Sequence, residues 1–96
     1  MAKTRTTGWD PAEHLGSRRE RVRYLQAALD EGDPGLVAAA LGDIARAEGM
    51  TRVAHRTGLG RESLYKALSP AGNPELATAL KVVEALGIRF QAVPTR

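Results

Sequence analysis

The sequence predicts an all-α domain of five or six short helices, followed by one short β-strand near the C-terminus. Apolar residues recur at helical spacing through most of the chain. Pairs of Asp or Asn with Pro stand where helices should begin, and single glycines stand where they should end. The chain has 96 residues, of which 43% are hydrophobic, which is enough for one small core. Residues 9–96 should therefore form a single domain.

Capping patterns predict the first two helices. The Asp-Pro pair at residues 10–11 should begin a helix of one or two turns that ends near Gly16. Ser17 and Glu20 have the spacing of a capping box, so a second helix should begin there and end at Gly32. The apolar face expected of this second helix consists of Val22, Leu25 and Leu29, flanked by Tyr24 and Ala28.

The third and the last helix should each begin with a cap residue followed by proline. Asp33-Pro34 begins the third helix, which should end at Gly49, and Asn73-Pro74 begins the last, which should end at Gly87. The residues expected to be buried are Leu36, Val37, Ala40, Leu41 and Ile44 on the third helix, and Leu76, Leu80, Val83 and Leu86 on the last.

The two ends of the chain lack helical periodicity. Residues 1–8 show no regular pattern and are expected to be a flexible tail. Residues 88–93 contain β-forming residues in partial alternation and are closed by Pro94, so they should form the terminal strand.

The composition excludes several classes of protein. The chain has no cysteine, which excludes disulfides, thiolate zinc sites and cysteine nucleophiles. No segment approaches the roughly 18 apolar residues that a membrane span needs. His14 and His55 lack the spacing of metal ligands, and Ser63 lacks a matching His and Asp for catalysis. We therefore expect a cytoplasmic protein that is not an enzyme and that uses no cofactor, no metal and no membrane.

Residues 50–69 show the pattern of a helix-turn-helix motif. Thr51 can cap a short helix, in which Ala54 is small where a second helix should press against it. Gly58 follows four residues later, where the turn requires a residue that tolerates positive φ, and Leu59 then enters the core. The remaining residues expected to be buried are Val53, Leu64, Ala67 and Leu68.

The residues left on the outside of this motif suit a DNA groove. Basic residues outnumber Glu62 there, although the net charge of the whole chain is only +3. Arg61 can grip guanine through two hydrogen bonds, and Glu62 can accept one from cytosine. Tyr65 and Lys66 can reach phosphates. The predicted DNA-binding residues are Thr51, Arg52, Arg56, Gly60, Arg61, Glu62, Ser63, Tyr65, Lys66 and Ser69.

Residues 51–69 resemble the helix-turn-helix of the lambda-repressor-like (Xre) superfamily. More narrowly, the chain resembles the short addiction-module antidote proteins, which are HigA-like antitoxins encoded beside RelE-like toxins. Further similar stretches are residues 9–13, 31–34, 39–46 and 69–74, so the resemblance covers about residues 9–93. It implies operator binding with autorepression, and neutralisation of a RelE/HigB-like ribosome-dependent endoribonuclease by direct contact. Gly60 departs from the family pattern, which often has serine there as the cap of the recognition helix.

The expected partners are double-stranded operator DNA, the toxin and a second copy of the chain. Useful discrimination requires two half-sites, and we expect a homodimer that pairs through the strand at residues 88–93. The toxin is expected to contact residues 10–30, which belong to the stretch of residues 10–36 where six acids outnumber four arginines. Two alternatives are a stand-alone transcriptional repressor and a protein-binding helical adaptor without DNA affinity, in which residues 50–69 form an ordinary helical hairpin.

Overall fold

The computed structural model describes residues 9–95, which form one short 3₁₀ helix and five α-helices. The 3₁₀ helix spans Pro11–His14. The α-helices are α1 (Arg18–Glu31), α2 (Pro34–Glu48), α3 (Met50–Thr57), α4 (Arg61–Ala67) and α5 (Leu76–Ala85). The predicted all-α class is therefore confirmed, while the predicted tail of residues 1–8 lies outside the described residues. None of the helices described here is long and apolar enough to span a bilayer.

The predicted caps position the first helices of the domain. The Asp10 carboxylate accepts a hydrogen bond from the amide of Ala12 at the start of the 3₁₀ helix (3.1 Å). Ser17 and Glu20 form a complete capping box at the start of α1. Gly32 ends α1 in the left-handed conformation (φ 75°), which costs glycine little. These three predictions are confirmed.

Two predicted helix starts are wrong. Gly49, with a φ of 112°, turns the chain directly from α2 into α3, so α3 begins at Met50 and Thr51 lies inside the helix instead of capping it. α5 begins at Leu76, two residues after the Asn73-Pro74 pair. That pair lies in the loop between α4 and α5. Before it reaches the pair, this loop folds back against the last carbonyl groups of α4.

α2 is the centre of the domain. It contacts the 3₁₀ helix and each of the four other α-helices. Buried alanines and Gly42 along α2 allow these neighbours to approach closely, and Leu41 and Ile44 fill the space between them. The other buried residues of the core cluster are Leu15, Leu25, Ala28, Ala40, Ala45, Met50, Val53, Leu64, Leu68, Val82, Val83 and Leu86.

α2 and the end of α4 are in direct backbone contact at Gly42. A Cβ atom on Gly42 would overlap with the carbonyl oxygen of Leu68. Leu68 is the C-cap residue of α4 and is itself buried. The absence of a side chain at Gly42 therefore determines how close α4 lies to the centre of the domain.

Several apolar residues that the helical pattern assigned to the core lie on the surface instead. On α1, Leu25 and Ala28 are buried, whereas Val22 and Leu29 are exposed. On α5, the buried residues lie in the second half of the helix, and Leu76 in the first turn is 73% exposed. A 3.6-residue pattern identifies an apolar stripe, but it does not determine how much of that stripe the neighbouring helices cover. The other exposed residues of the predicted apolar faces are Leu36 and Leu80.

The predicted C-terminal strand is absent from the described residues: 88–93 are irregular. The amide of Ile88 donates to the carbonyl oxygen of Val83 (3.0 Å) and so closes the end of α5. Ile88 and Phe90 are half-buried and pack against the core. A β-strand needs a second strand for its hydrogen bonds, and residues 9–95 supply none. The β-forming residues of this segment therefore contribute core packing.

Replacing Gly42 with Ala should destabilise the domain, although alanine is the better helix former by about 1 kcal/mol. The new Cβ would meet a backbone oxygen, which cannot rotate away, so α4 would have to shift outward. We expect a net loss of about 1–3 kcal/mol in the free energy of unfolding, measured by urea unfolding.

Gly16→Ala is the matched control, because a Cβ at Gly16 meets no atom within 4 Å. This variant should unfold at nearly the wild-type urea concentration. A Gly42→Ala protein as stable as wild type would show that the α2–α4 contact can relax at no cost.

Candidate nucleic-acid interface

The turn between α3 and α4 is fixed by a glycine and a threonine. Gly58 adopts the left-handed conformation (φ 76°), and its amide donates to the carbonyl oxygen of Ala54 (2.9 Å). The Thr57 hydroxyl donates to the carbonyl oxygen of Val53 (2.8 Å) and accepts a hydrogen bond from the amide of Leu59 (3.2 Å). These bonds give α4 a defined direction as it leaves the turn.

The two helices pack through the side chains that the sequence pattern selected. Val53 and Leu64 are each 0% exposed, and Leu68 is also buried. Ala54 and Leu59 are half-buried and pack against the core. The opposite face of α4 therefore faces away from the core.

The ten predicted DNA-binding residues lie on α3, on α4 or at the ends of α4, and all but one are exposed. The exception is Ser69, which is half-buried and whose hydroxyl donates to the carbonyl oxygen of Lys66 (3.0 Å). The Ser69 side chain thus supports the end of α4. The exposed members of the set are Thr51, Arg52, Arg56, Gly60, Arg61, Glu62, Ser63, Tyr65 and Lys66.

Arg61 and Tyr65 form a pair on the exposed face of α4. The guanidinium carbon of Arg61 lies 5.8 Å from the centre of the Tyr65 ring, within the range of a cation–π contact. Glu62 in the first turn and Lys66 in the last turn both have the sign of charge that the helix dipole favours. Arg61, the first residue of α4, has the opposite sign, and its guanidinium lies over the Tyr65 ring instead.

Gly60 precedes α4 in an extended conformation (φ −72°, ψ 148°) and supplies no side chain to cap the helix. A glycine at this position costs only a few tenths of a kcal/mol relative to a capping serine. The absence of a capping serine at Gly60 therefore does not prevent α4 from beginning directly after it.

Glu48 connects this surface to the interior of the domain. It is the last residue of α2, and its side chain is only 15% exposed. Arg21 of α1 donates to one carboxylate oxygen at 2.5 Å. Arg56 and Arg52 of α3 lie 3.1 Å and 3.5 Å from the other oxygen. One carboxylate therefore holds three guanidinium groups, two of which belong to the predicted DNA-binding set.

Two of the three arginines of this cluster are also bonded to the backbone. Arg56 donates to the carbonyl oxygen of Ala85 at the end of α5 (3.0 Å), and Arg21 donates to that of Leu15 (2.7 Å). These bonds restrict the rotamers of long side chains before any ligand is present. Side chains that are already ordered lose less conformational entropy on binding.

Glu48 stays ionised to lower pH than an ordinary glutamate. Burial by itself raises the pKa of this carboxyl. The hydrogen bond and the charge of Arg21, together with the charges of Arg56 and Arg52, outweigh burial and lower the pKa below its usual value. Three positive groups share one negative group, so the cluster keeps a net positive charge.

Another arginine, outside the Glu48 cluster, is neutralised by two carboxylates. Arg46 of α2 donates to Asp10 (2.9 Å) and to Asp43 (2.7 Å). The hydrogen bond to Asp10 contributes most to raising the pKa of Arg46, and Asp43 adds to it against the effect of burial. Asp43 also accepts a hydrogen bond from the hydroxyl of Tyr24 (2.6 Å). Arg46 lines a hollow beside Tyr65, but its two carboxylate partners leave no net positive charge there.

The sequence analysis missed Glu48, Arg21 and Thr57. Glu48 stands four residues before Arg52, which is the spacing of a helical ion pair, but Gly49 separates the two helices and hides the signal. Arg21 is 27 residues from Glu48, and no sequence pattern joins them. Thr57 lies inside the motif, where its hydroxyl bonds depend on the geometry of the turn.

These features define a class: a small helical protein with an exposed basic surface built on two short, packed helices. Sequence comparison is more specific. A family model described as "Probable addiction module antidote protein" matches residues 5–94. The chain therefore belongs to the addiction-module antidote family, which implies a toxin as partner in general.

One relative covers nearly the whole chain. An uncharacterized protein of Haemophilus influenzae (strain ATCC 51907 / DSM 11121 / KW20 / Rd) is 49% identical over 88 residues, which are 92% of this chain and 91% of that protein. No solved structure matches the chain significantly.

Replacing Glu48 with Gln should destabilise the domain at neutral pH and have little effect in acid. Because the pKa of Glu48 is lowered on folding, its carboxylate stabilises the fold above the unfolded-state pKa of about 4.3. That contribution is lost as the pH falls through the folded-state value. We expect a loss of about 1–2 kcal/mol in the free energy of unfolding at neutral pH, measured by urea unfolding over a pH series.

The control is Glu84→Gln, which removes an exposed carboxylate from α5. It should leave the free energy of unfolding almost unchanged. Destabilisation of Glu48→Gln by the same amount at neutral and acid pH would contradict the role given to the ionised carboxylate.

Proposed function

We propose that the chain is the antitoxin of a type II toxin–antitoxin module, that it binds operator DNA to repress its own transcription, and that it neutralises a RelE/HigB-like toxin. Membership in the antidote family supports the antitoxin role. The observation that carries DNA binding is the geometry of α3 and α4, which pack through Val53 and Leu64 and turn at Gly58. That geometry leaves a basic face exposed on the same two helices.

In this proposal α3 and α4 form a helix-turn-helix of the lambda-repressor-like kind, and α4 enters the major groove. Arg61 and Glu62 at the start of α4 read base edges, because guanidinium and carboxylate groups match guanine and cytosine. Arg52, Arg56 and Lys66 bind phosphates and set the register. The other residues of the interface are Thr51, Gly60, Ser63, Tyr65 and Ser69, of which Ser69 acts through the end of α4.

The protein acts as a homodimer in the cytoplasm, by binding and without catalysis. A single recognition helix reads only a few base pairs, and two copies reach half-sites about one helical turn apart. Pairing through residues 88–93 is not part of this proposal, because Ile88 and Phe90 pack in their own core. Sedimentation of the free protein and of its operator complex tests the dimer.

Arg61→Ala and Arg52→Ala should weaken operator binding in different ways. Arg61→Ala should relax the base preference at one position of each half-site and cost about 1–3 kcal/mol. Arg52→Ala should weaken all sequences alike and reduce the salt dependence by about one counterion. Because the Arg52 side chain is 61% exposed, its loss should leave the fold intact. Electrophoretic shifts with operator and scrambled duplexes over a salt series measure both effects.

Arg23→Ala on α1 is the control, since it removes an exposed arginine outside the motif. Its shifts should match the wild type. Wild-type affinity that does not change over a tenfold range of salt would contradict a phosphate-binding surface.

A further inference from the structure

An open apolar groove lies between the end of α1, the start of α2 and the start of α5, and its volume is about 420 Å³. Its walls include Leu29, Val37, Leu76, Ala79 and Phe90. Leu29 and Leu76 are residues that the helical pattern assigned to the core and that the fold leaves exposed. Exposed apolar surface of this kind is typical of interaction sites.

The lining of the groove is suited to a protein and not to a small polar ligand. Among the described residues, Asn73 is the only one in the lining with a polar side chain. A small-molecule site usually has a few placed polar groups that orient the ligand, and this groove has almost none. Leu76 lines the groove and is 73% exposed, so its side chain is accessible to the side chains of a partner.

The residues that adjoin the lining of the groove in the sequence are mainly acidic, and we call them its acidic rim. All lining residues except Phe90 come from residues 29–41 and 73–79, and these two segments contain no lysine or arginine. Arg89, next to Phe90, is the one basic chain neighbour of a lining residue. The carboxylates of the two segments are all exposed and belong to Asp30, Glu31, Asp33 and Glu75.

We propose that this groove with its acidic rim is the surface on which the chain binds a basic toxin. The inference rests on the proposed antitoxin function and names the surface that performs it. The acidic rim fits a partner that places an apolar side chain in the groove and lysines or arginines around it. DNA does not fit, because phosphates would face carboxylates.

A second copy of the chain is disfavoured at the same place. In a twofold dimer the same patch of each copy faces the other, so the two acidic rims would lie against each other. Like charges placed together across an interface oppose association. A basic partner relieves this repulsion, whereas a second copy increases it.

The groove leaves the proposed DNA-binding surface free. None of its lining residues belongs to residues 50–69. The toxin therefore contacts the end of α1 and the starts of α2 and α5, and of residues 10–30 only Leu29 lines the groove. DNA and toxin can then be bound by one chain at the same time.

The test uses the purified product of the adjoining gene as probe and measures its Kd by isothermal titration calorimetry. Leu76→Ser should raise the Kd at least about tenfold, because it removes an apolar contact in the groove. The double variant Glu31→Lys with Glu75→Lys should raise the Kd by a similar factor and reduce its salt dependence. All three side chains are exposed, so circular dichroism and operator shifts should match the wild type.

Val93→Ser and Glu84→Lys are the matched controls. Val93 is 70% exposed and lies outside this groove, and Glu84 is an exposed acid on α5 away from the lining. Both variants should bind the probe as the wild type does.

Three outcomes overturn the proposal, and they are distinguishable. Equal binding of wild type and groove variants would place the toxin elsewhere and leave the antitoxin function standing. A concentration-dependent dimer that Leu76→Ser abolishes would show that a second copy fills the groove. A wild-type protein that shifts the operator but does not bind the probe would refute the antitoxin function itself.

Discussion

The backbone contact between α2 and the end of α4 at Gly42 is the constraint on which the rest of the structure depends. α2 contacts every other helix of the described chain, and its small buried residues let those helices come close. A side chain at Gly42 would push against the carbonyl oxygen of Leu68 and move α4. The position of the exposed face of α4 is therefore determined inside the core. Close packing of this kind transmits small changes in volume over a whole domain.

Glu48 extends this control from the core to the charged surface. Its carboxylate is largely buried and is held in the ionised state by Arg21, Arg52 and Arg56. The arrangement lowers the net positive charge of the cluster by one, but it restricts Arg21 and Arg56, each of which also donates to a backbone carbonyl oxygen. An ordered guanidinium can match a phosphate at a smaller entropic cost than a mobile one. Arg46 shows the contrasting case, since two carboxylates cancel its charge beside α4.

The modest net charge of +3 conceals two surfaces of opposite sign. α3 and α4 carry an excess of arginine and lysine, whereas residues 29–41 and 73–79, which supply most of the apolar groove, carry four carboxylates and no basic residue. An antidote protein needs a toxin partner and, in the function proposed here, an operator as well. Segregated charge directs phosphate to one surface and a basic protein to the other, which reduces competition between the two ligands.

The sequence by itself determined the all-α class, the caps at Asp10 and Ser17, and the left-handed turn at Gly58, because each follows from interactions between near neighbours in the chain. It also determined which side chains α3 and α4 expose. Tertiary structure decided the features that depend on distant segments. The neighbouring helices cover only part of each apolar stripe, so Leu29 and Leu76 lie outside the core. Residues 88–93 are irregular because the described chain offers no second strand to pair with them. The Glu48 cluster was likewise decided by packing, since local patterns carry no information about which helices bring their charges together.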